Sequence, residues 1–128
     1  MLIDIDAFKH INDTSGHLAG DDIIKSIGAL IASSVRRSDV AARYGGGEFA
    51  IILPGASKGD AVHIAERMQS LLGIKKWRLN ENGGPDAVTV SIGIASLASS
   101  DSAKELFERA DAGLYKAKAS GKNRVAVR

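Results

Sequence analysis

Four groups of residues in this 128-residue chain have types and spacings that could do chemistry. Asp4 and Asp6 stand two apart in Met1-Leu2-Ile3-Asp4-Ile5-Asp6, which reads as a short strand, so both carboxylates project from one face near its end. An oxygen-rich strand end suits Mg²⁺ or Mn²⁺, which prefer carboxylate, carbonyl and water ligands. The competing role for Asp6 is to cap the helical stretch beginning Ala7-Phe8-Lys9. That role fits Asp4 less well, because it is a carboxylate inside an otherwise apolar strand. Gly45-Gly46-Gly47 leaves a bare backbone that a flat or phosphorylated ligand can approach closely, with Glu48 beside it. Arg36-x-x-Asp39 has the spacing of a local ion pair at a helix end. Lys116, Lys118, Lys122, Arg124 and Arg128 gather near the C-terminus, either as a solvated helix end or as a phosphate-binding patch.

These residues need elements to hold them. Val40 to Tyr44 and Glu48 to Leu53 read as two strands joined by the glycines, a β-hairpin whose turn exploits glycine's access to positive φ. Asn12 to Asp21 carries turn chemistry throughout, and Asp21 or Asp22 opens a helix with Ile23, Ile24, Ile27, Leu30 and Ile31 on its apolar stripe. After Pro54-Gly55, Ser57 begins a helix to about Leu72 that buries Ala61, Val62, Ala65, Met68 and Leu72 and leaves Arg67 exposed. A strand is expected near Ile74 to Leu79, with a turn at Asn82-Gly83-Gly84-Pro85. Ala87 to Ala95 is β-branched and mostly apolar, hence a central strand in which Gly93 marks close backbone packing. Ser102-x-x-Glu105 is a capping box for a last helix with core face Leu106, Phe107, Ala110, Leu114 and Ala117. Asp111, Tyr115 and Lys118 lie opposite that face. Gly121 ends the helix before a terminal strand up to Val127.

Composition narrows the function classes. One domain over residues 1–128, helices packed on a mixed sheet in an α/β (α+β) arrangement, fits the length and element order. A net charge of +2 is too mild to argue a nucleic-acid polymer, and 5% aromatics leaves few rings for stacking RNA bases. There are no cysteines for disulfides or thiolate metal sites, and His10, His17 and His63 lack metal-ligand spacing. No apolar run approaches membrane-spanning length, so a cytoplasmic domain is expected, with a membrane anchor outside these residues left open.

Three segments together resemble the GGDEF family, the diguanylate cyclases. Arg43-Tyr44-Gly45-Gly46-Gly47-Glu48-Phe49 resembles its R-Y-G-G-D-E-F signature. Asp4-Ile5-Asp6-x-Phe8-Lys9-x-Ile11-Asn12-Asp13-x-x-Gly16-His17-x-x-Gly20-Asp21 is similar to the family at nearly every marked position, as is Ala110-Asp111-x-x-Leu114-Tyr115-x-Ala117-Lys118-x-x-Gly121-Lys122-Asn123.

The resemblance implies a palm-like, ferredoxin-related nucleotidyl-cyclase fold that joins two GTP molecules into cyclic di-GMP across a homodimer. It implies that Asp4 and the carbonyl of Ile5 hold Mg²⁺ or Mn²⁺, that Glu48 is catalytic, and that the backbones of Phe8, Lys9, Gly45 and Gly46 lie along the nucleotide. Asn12 and Asp21 would bond the guanine, while Lys118 and Lys122 neutralise the triphosphate. At 122 lysine replaces the more usual arginine, keeping the charge but losing its fork. Arg36, Asp39 and Arg67 would form the product-binding inhibitory site for cyclic di-GMP. Two departures stand out. Gly47 occupies the place of an acidic residue, and Met1 begins inside the first strand, where the family normally has a preceding helix. Sensory or output domains are expected outside this chain. Three readings follow: a cyclic di-GMP receptor with an impaired or dead cyclase site, a slow cyclase under product inhibition, and a protein-interaction domain. Intact Asn12, Asp21, Lys118 and Arg36-x-x-Asp39 weigh against the third.

Overall fold

The structure, a computed structural model, describes residues 1–77 and 87–128. Its elements run β1 (Leu2–Ile5), α1 (Phe8–Ser15), α2 (His17–Ser34), β2 (Val40–Arg43), β3 (Glu48–Ile52), α3 (Lys58–Ile74), β4 (Val90–Ile94), α4 (Ala103–Ala119) and β5 (Val125–Val127). The strands form one sheet in the order β2-β3-β1-β4-β5, antiparallel except for the β4–β5 pair. This is the expected mixed sheet flanked by helices.

Alternation along the strands assigns each face its helices. Ile3, Ile5, Phe49, Ile51 and Ile92 join Ile23, Ile27 and Ile31 of α2 and Ala65, Met68 and Leu72 of α3 in the main core. The other face carries Leu2, which packs with Ala110 and Leu114 of α4 and against Ala50. Gly93 sits opposite Leu2, and its absent side chain lets α4 approach: a Cβ there would meet the backbone of Ala110 and Leu114.

Two capping boxes start the long helices. Ser57 Oγ accepts from Asp60 N at 3.1 Å while Ser57 N donates to Asp60 Oδ2 at 2.9 Å. Ser102 and Glu105 repeat the arrangement at 3.2 and 2.7 Å. The bonds from the Ser57 hydroxyl and backbone hold the Asp60 carboxyl below its usual range, and those from the Ser102 backbone and hydroxyl do the same for Glu105. Because both folded values are depressed, this stabilisation is complete above the ordinary 3.8 and 4.5 and is lost as pH falls through the lower folded values. Ser57→Ala and Ser102→Ala should each lower the urea midpoint at neutral pH, the usual cost of a lost N-cap being about 1 kcal/mol. The deficit should shrink towards pH 3. An equal deficit at both pH values would mean that the carboxylates contribute nothing.

Several sequence expectations are corrected. Residues 12–21 are not a turn: α1 continues to Ser15, Gly16 alone breaks the chain at φ 88°, and α2 begins at His17 rather than at Asp21 or Asp22. The polar composition suggested a loop, but tertiary packing of Asn12 against Gly20 holds two helices there. Asp6 does not cap α1, since Ala7 occupies that position at φ 53° without a side-chain cap bond. α3 runs to Ile74, and no strand follows over 75–77. The rest of the strand and turn expected there, from 78 to 86, lies outside the described residues. Phe107 belongs to no core face: it is exposed and meets Tyr44 edge-to-face with ring centroids 6.0 Å apart. Val62 is half-buried rather than buried.

Candidate functional site

The sheet face beneath α4 changes character within two residues. Ala50, Leu2 and Gly93 form one row across β3, β1 and β4, and the next row is Glu48, Asp4 and Ser91. The apolar row is covered by α4; in the next row Asp4 and Glu48 are half-buried and Ser91 is buried. Asp4 and Glu48 are direct cross-strand partners, so their carboxylates share a face, and like charges so placed repel. Lys118 reaches over from the last turn of α4 and its Nζ donates to Asp4 Oδ2, which offsets that repulsion. Burial pushes the Tyr44 phenol above its usual value, and the nearby Glu48, Asp111 and Asp4 carboxylates add to the shift. Three carboxylates, Asp4, Glu48 and Asp111, thus act on the Tyr44 phenol, with Lys118 paired to the first of them.

Asp6 performs a different task from the two foreseen. Its buried carboxylate accepts from Thr89 Oγ1 at 2.7 Å, Ser91 Oγ at 2.7 Å and the Asn123 amide at 2.9 Å. It neither caps α1 nor joins Asp4. A lone aspartate at a strand end gives no hint of partners more than 80 residues away, so sequence reasoning missed this.

The glycine hairpin also works differently than expected. None of Gly45, Gly46 and Gly47 adopts the left-handed region, where the positive-φ glycines described are Gly16, Gly55 and Gly121. The hairpin glycines are needed for space. A Cβ at Gly45 would crowd the Glu48 carboxylate, whose Cδ would lie 3.2 Å away. A Cβ at the buried Gly47 would lie 3.0, 3.1 and 3.2 Å from Phe8 Cγ, Cδ1 and Cβ. Gly47 O accepts from Ile5 N at 2.9 Å, so this turn is tied to the metal-candidate end of β1. Position 47 thus faces Phe8, and Glu48 faces Asp4, on opposite sides of the strand.

On the Phe8 side, α1 packs against α2 where Asn12 meets Gly20. Asn12 Oδ1 is buried without a hydrogen-bond partner, which is costly unless something donates to it. Gly20 leaves room for that amide, while Asp21 lies exposed one residue further on. The start of α1, with no side-chain cap on its first amides, brings Phe8 and the exposed Lys9 to the same edge as the hairpin. Free amides at a helix start bind anions readily. Lys122 lies exposed just beyond α4.

Arg36 and Asp39 lie at a separate place between α2 and β2. Arg36 N donates to Asp39 Oδ2 at 2.6 Å, and its guanidinium reaches Asp39 Oδ1 at 3.2 Å and the Pro54 carbonyl at 3.0 Å. Some desolvation raises the Asp39 carboxyl, but the Arg36 backbone and guanidinium bonds outweigh it and hold the group below its usual range. The Arg36 side chain stays 55% exposed, so part of its fork is free to bind. Arg67 is exposed on α3, seven residues or about 10 Å of helix beyond Asp60, whose carboxylate feels the Arg36 charge. A cleft of about 670 Å³ holds none of these groups. It is apolar and lies against Leu2, Ile52, Leu97 and Phe107, and none of Asp4, Glu48 and Ser91 lines it.

The family described as "Diguanylate cyclase, GGDEF domain" matches residues 1–124. This chain belongs to the GGDEF family. The response regulator PleD of Caulobacter vibrioides is 43% identical over 126 residues, covering 98% of this chain and 28% of PleD. Diguanylate cyclase A of Treponema denticola is 42% identical, covering 99% and 34%. The chain thus spans about a third or less of these relatives' length. Among solved structures, the GGDEF domain of DgcB from Caulobacter crescentus in complex with c-di-GMP superposes with a TM-score of 0.92 at 36% identity, covering 98% of this chain and 74% of that one. The active GGEEF domain of a Vibrio cholerae diguanylate cyclase gives 0.89 at 32%, covering 98% and 79%. This GGDEF domain therefore has the cyclase-like α+β fold. GGDEF cyclases in general use divalent metal ions, and no helix among its described residues is long and apolar enough to cross a membrane.

Proposed function

We propose that this GGDEF domain is a receptor for cyclic di-GMP, bound at Arg36 and Asp39 with help from Arg67, whose own cyclisation of GTP is impaired. The observation that carries the reading is a contrast between two places. At one, Arg36 and Asp39 are already held together while the Arg36 side chain stays 55% exposed. At the other, Gly47 offers no carboxylate, and its Cβ direction is filled by Phe8. The cyclic di-GMP found with the DgcB domain supports the class of ligand. An arginine fork recognises a guanine edge or a phosphate through paired donors, and an aspartate accepts from guanine nitrogens.

At the cyclase site the residues present fit a hard divalent ion. Asp4 and the carbonyl of Ile5 are oxygen donors, and Mg²⁺ typically takes only one or two carboxylates besides water and substrate phosphates. Such an ion, when bound, would neutralise phosphate charge and favour the attacking hydroxylate. The chain's own contributions are binding and orientation. Asn12 offers its unpartnered amide oxygen to the guanine with Asp21 at the rim, and the first amides of α1 receive phosphate oxygens. Lys118 and Lys122 supply positive charge, with Gly45 and Gly46 giving close backbone approach. Two domains must meet for two GTP molecules to react, so a homodimer bridged by ligand belongs to this reading, as do a cytoplasmic location and regulatory domains outside the chain. A residually active cyclase under product inhibition is the second reading, favoured by the direct Asp4–Glu48 pairing.

Arg36→Ala should weaken cyclic di-GMP binding at least about tenfold by calorimetry, since it removes a charge-assisted fork. Unchanged affinity would sink the receptor reading.

A further inference from the structure

We propose that Asp6 is a positioning residue for phosphate binding: its buried carboxylate holds the turn that aims Lys122. This rests on the reading of Lys122 as a phosphate-binding residue. The turn after α4 is unusual. Gly121, Lys122 and Asn123 take φ values of 117°, 60° and 46°, three consecutive left-handed residues of which two have side chains. Such a conformation persists only where its surroundings over-determine it. Locally, Gly121 N and Lys122 N donate back to Lys118 O and Ala117 O at 3.2 and 3.1 Å. Those bonds fix where the turn leaves the helix; beyond it, Arg124 Nε donates to Lys122 O at 3.0 Å and Arg124 O accepts from Ile92 N of β4 at 2.9 Å.

Asp6 holds the turn itself, between those two attachments. Asn123 N donates to Asp6 Oδ2 at 2.9 Å, across 117 residues of sequence. The carboxylate is itself oriented by the Thr89 and Ser91 hydroxyls, so each oxygen has a fixed donor. A carboxylate offers acceptors only, and all three partners donate, so the set is chemically matched. The effect is to join the end of β1, the start of β4 and the α4–β5 turn at one point. Asp4 lies two residues before that point and bonds Lys118, four residues before Lys122. One short strand thus governs both lysines: Asp4 through a direct ion pair, Asp6 through the backbone of the turn. Asp6 faces hydroxyls and an amide rather than ligand, so its influence on phosphate must pass through Lys122.

The test compares a ligand that carries the triphosphate with one that does not. Affinities for GTP and for guanosine are measured by calorimetry with Mg²⁺ in the native chain, Asp6→Asn, Lys122→Ala and the double variant. Asp6→Asn keeps the shape but turns one acceptor into a donor facing other donors. GTP affinity should fall about tenfold, the scale seen when a partner that orients a binding group is lost. Guanosine affinity should stay unchanged, and adding Lys122→Ala to Asp6→Asn should cost little more, because the lysine is already misplaced. Thr89→Val should give a smaller loss in the same direction and Thr89→Ser should restore native binding, which covers the case of a poorly folded Asp6→Asn. Equal losses for GTP and guanosine, unchanged GTP affinity, or additive effects of Asp6→Asn and Lys122→Ala would overturn the proposal. If Lys122→Ala alone leaves GTP affinity unchanged, the phosphate-site reading is what has failed. If it weakens GTP and a folded Asp6→Asn does not, the reading stands and the role of Asp6 falls.

Discussion

Replacing Gly47 by aspartate is expected to raise cyclic di-GMP formation from GTP by about 100-fold or more. Loss of a residue that only supports a metal ligand typically costs about 10–100-fold, and a carboxylate at this place would act more directly. The backbone at 47 is already tied to Ile5, whose carbonyl is a candidate metal ligand, while the Cβ direction points at Phe8. The structure adds a steric condition that the sequence concealed. The new Cβ would stand 3.0–3.2 Å from Phe8, tighter than ordinary van der Waals contact, so Phe8 must yield by a few tenths of an ångström. A stability loss of about 1 kcal/mol should accompany the gain in rate, at the low end for overpacking. Gly47→Ala separates the two effects, because it brings the crowding without the carboxylate and should gain no activity. The measurement is product formed with Mg²⁺ at high protein concentration. Native turnover within a few-fold of the aspartate variant would mean that Asp4 and Glu48 suffice, and the cyclase reading would win. Inactivity of both variants would place the defect elsewhere than position 47.

The largest stability effect should come from Gly93→Ala, on the order of 3–5 kcal/mol, above the usual overpacking cost. Gly93 sits in the middle of β4, paired with Leu2 on one side and Ala126 on the other. Its Cβ would strike Ala110 O and Leu114 N and lie 2.9 Å from Leu114 Cα. These are backbone atoms of a helix, so no rotamer change relieves the clash and α4 must lift as a body. Lifting it exposes Ala110 and Leu114 and draws Lys118 away from Asp4. A domain of this size has about 5–15 kcal/mol in total, so much of the margin would go. Gly113→Ala is the comparator, since its Cβ would meet Ala126 O at 3.0 Å and Gly93 Cα at 3.3 Å. There the strain is milder and the better helix propensity of alanine offsets about 1 kcal/mol. Urea unfolding at neutral pH decides it. A Gly93→Ala variant within about 1 kcal/mol of native would refute the close-packing account.

The sequence by itself determined the family and the fold class. Periodicity placed the strands β1, β2, β3, β4 and β5 and the helices α3 and α4 to within a few residues, because amphipathic stripes and Ser-x-x-acid caps are local signals. It also marked Arg36, Asp39, Asp4, Glu48 and Gly47, whose spacing is itself the signal. What only the tertiary structure decided concerns partners that are distant in sequence or defined by empty space. Residues 12–15 are helical while the bare Gly20 leaves room for the Asn12 side chain against α2, which polar composition conceals. The hairpin glycines are required by Phe8 and Glu48 rather than by left-handed φ, and a string of glycines cannot distinguish crowding from conformation. Phe107 leaves the core to meet Tyr44, although its helical position promised burial. Asp6 draws together Thr89, Ser91 and Asn123, and a carboxylate's partners follow from how the chain folds back, not from its neighbours in sequence.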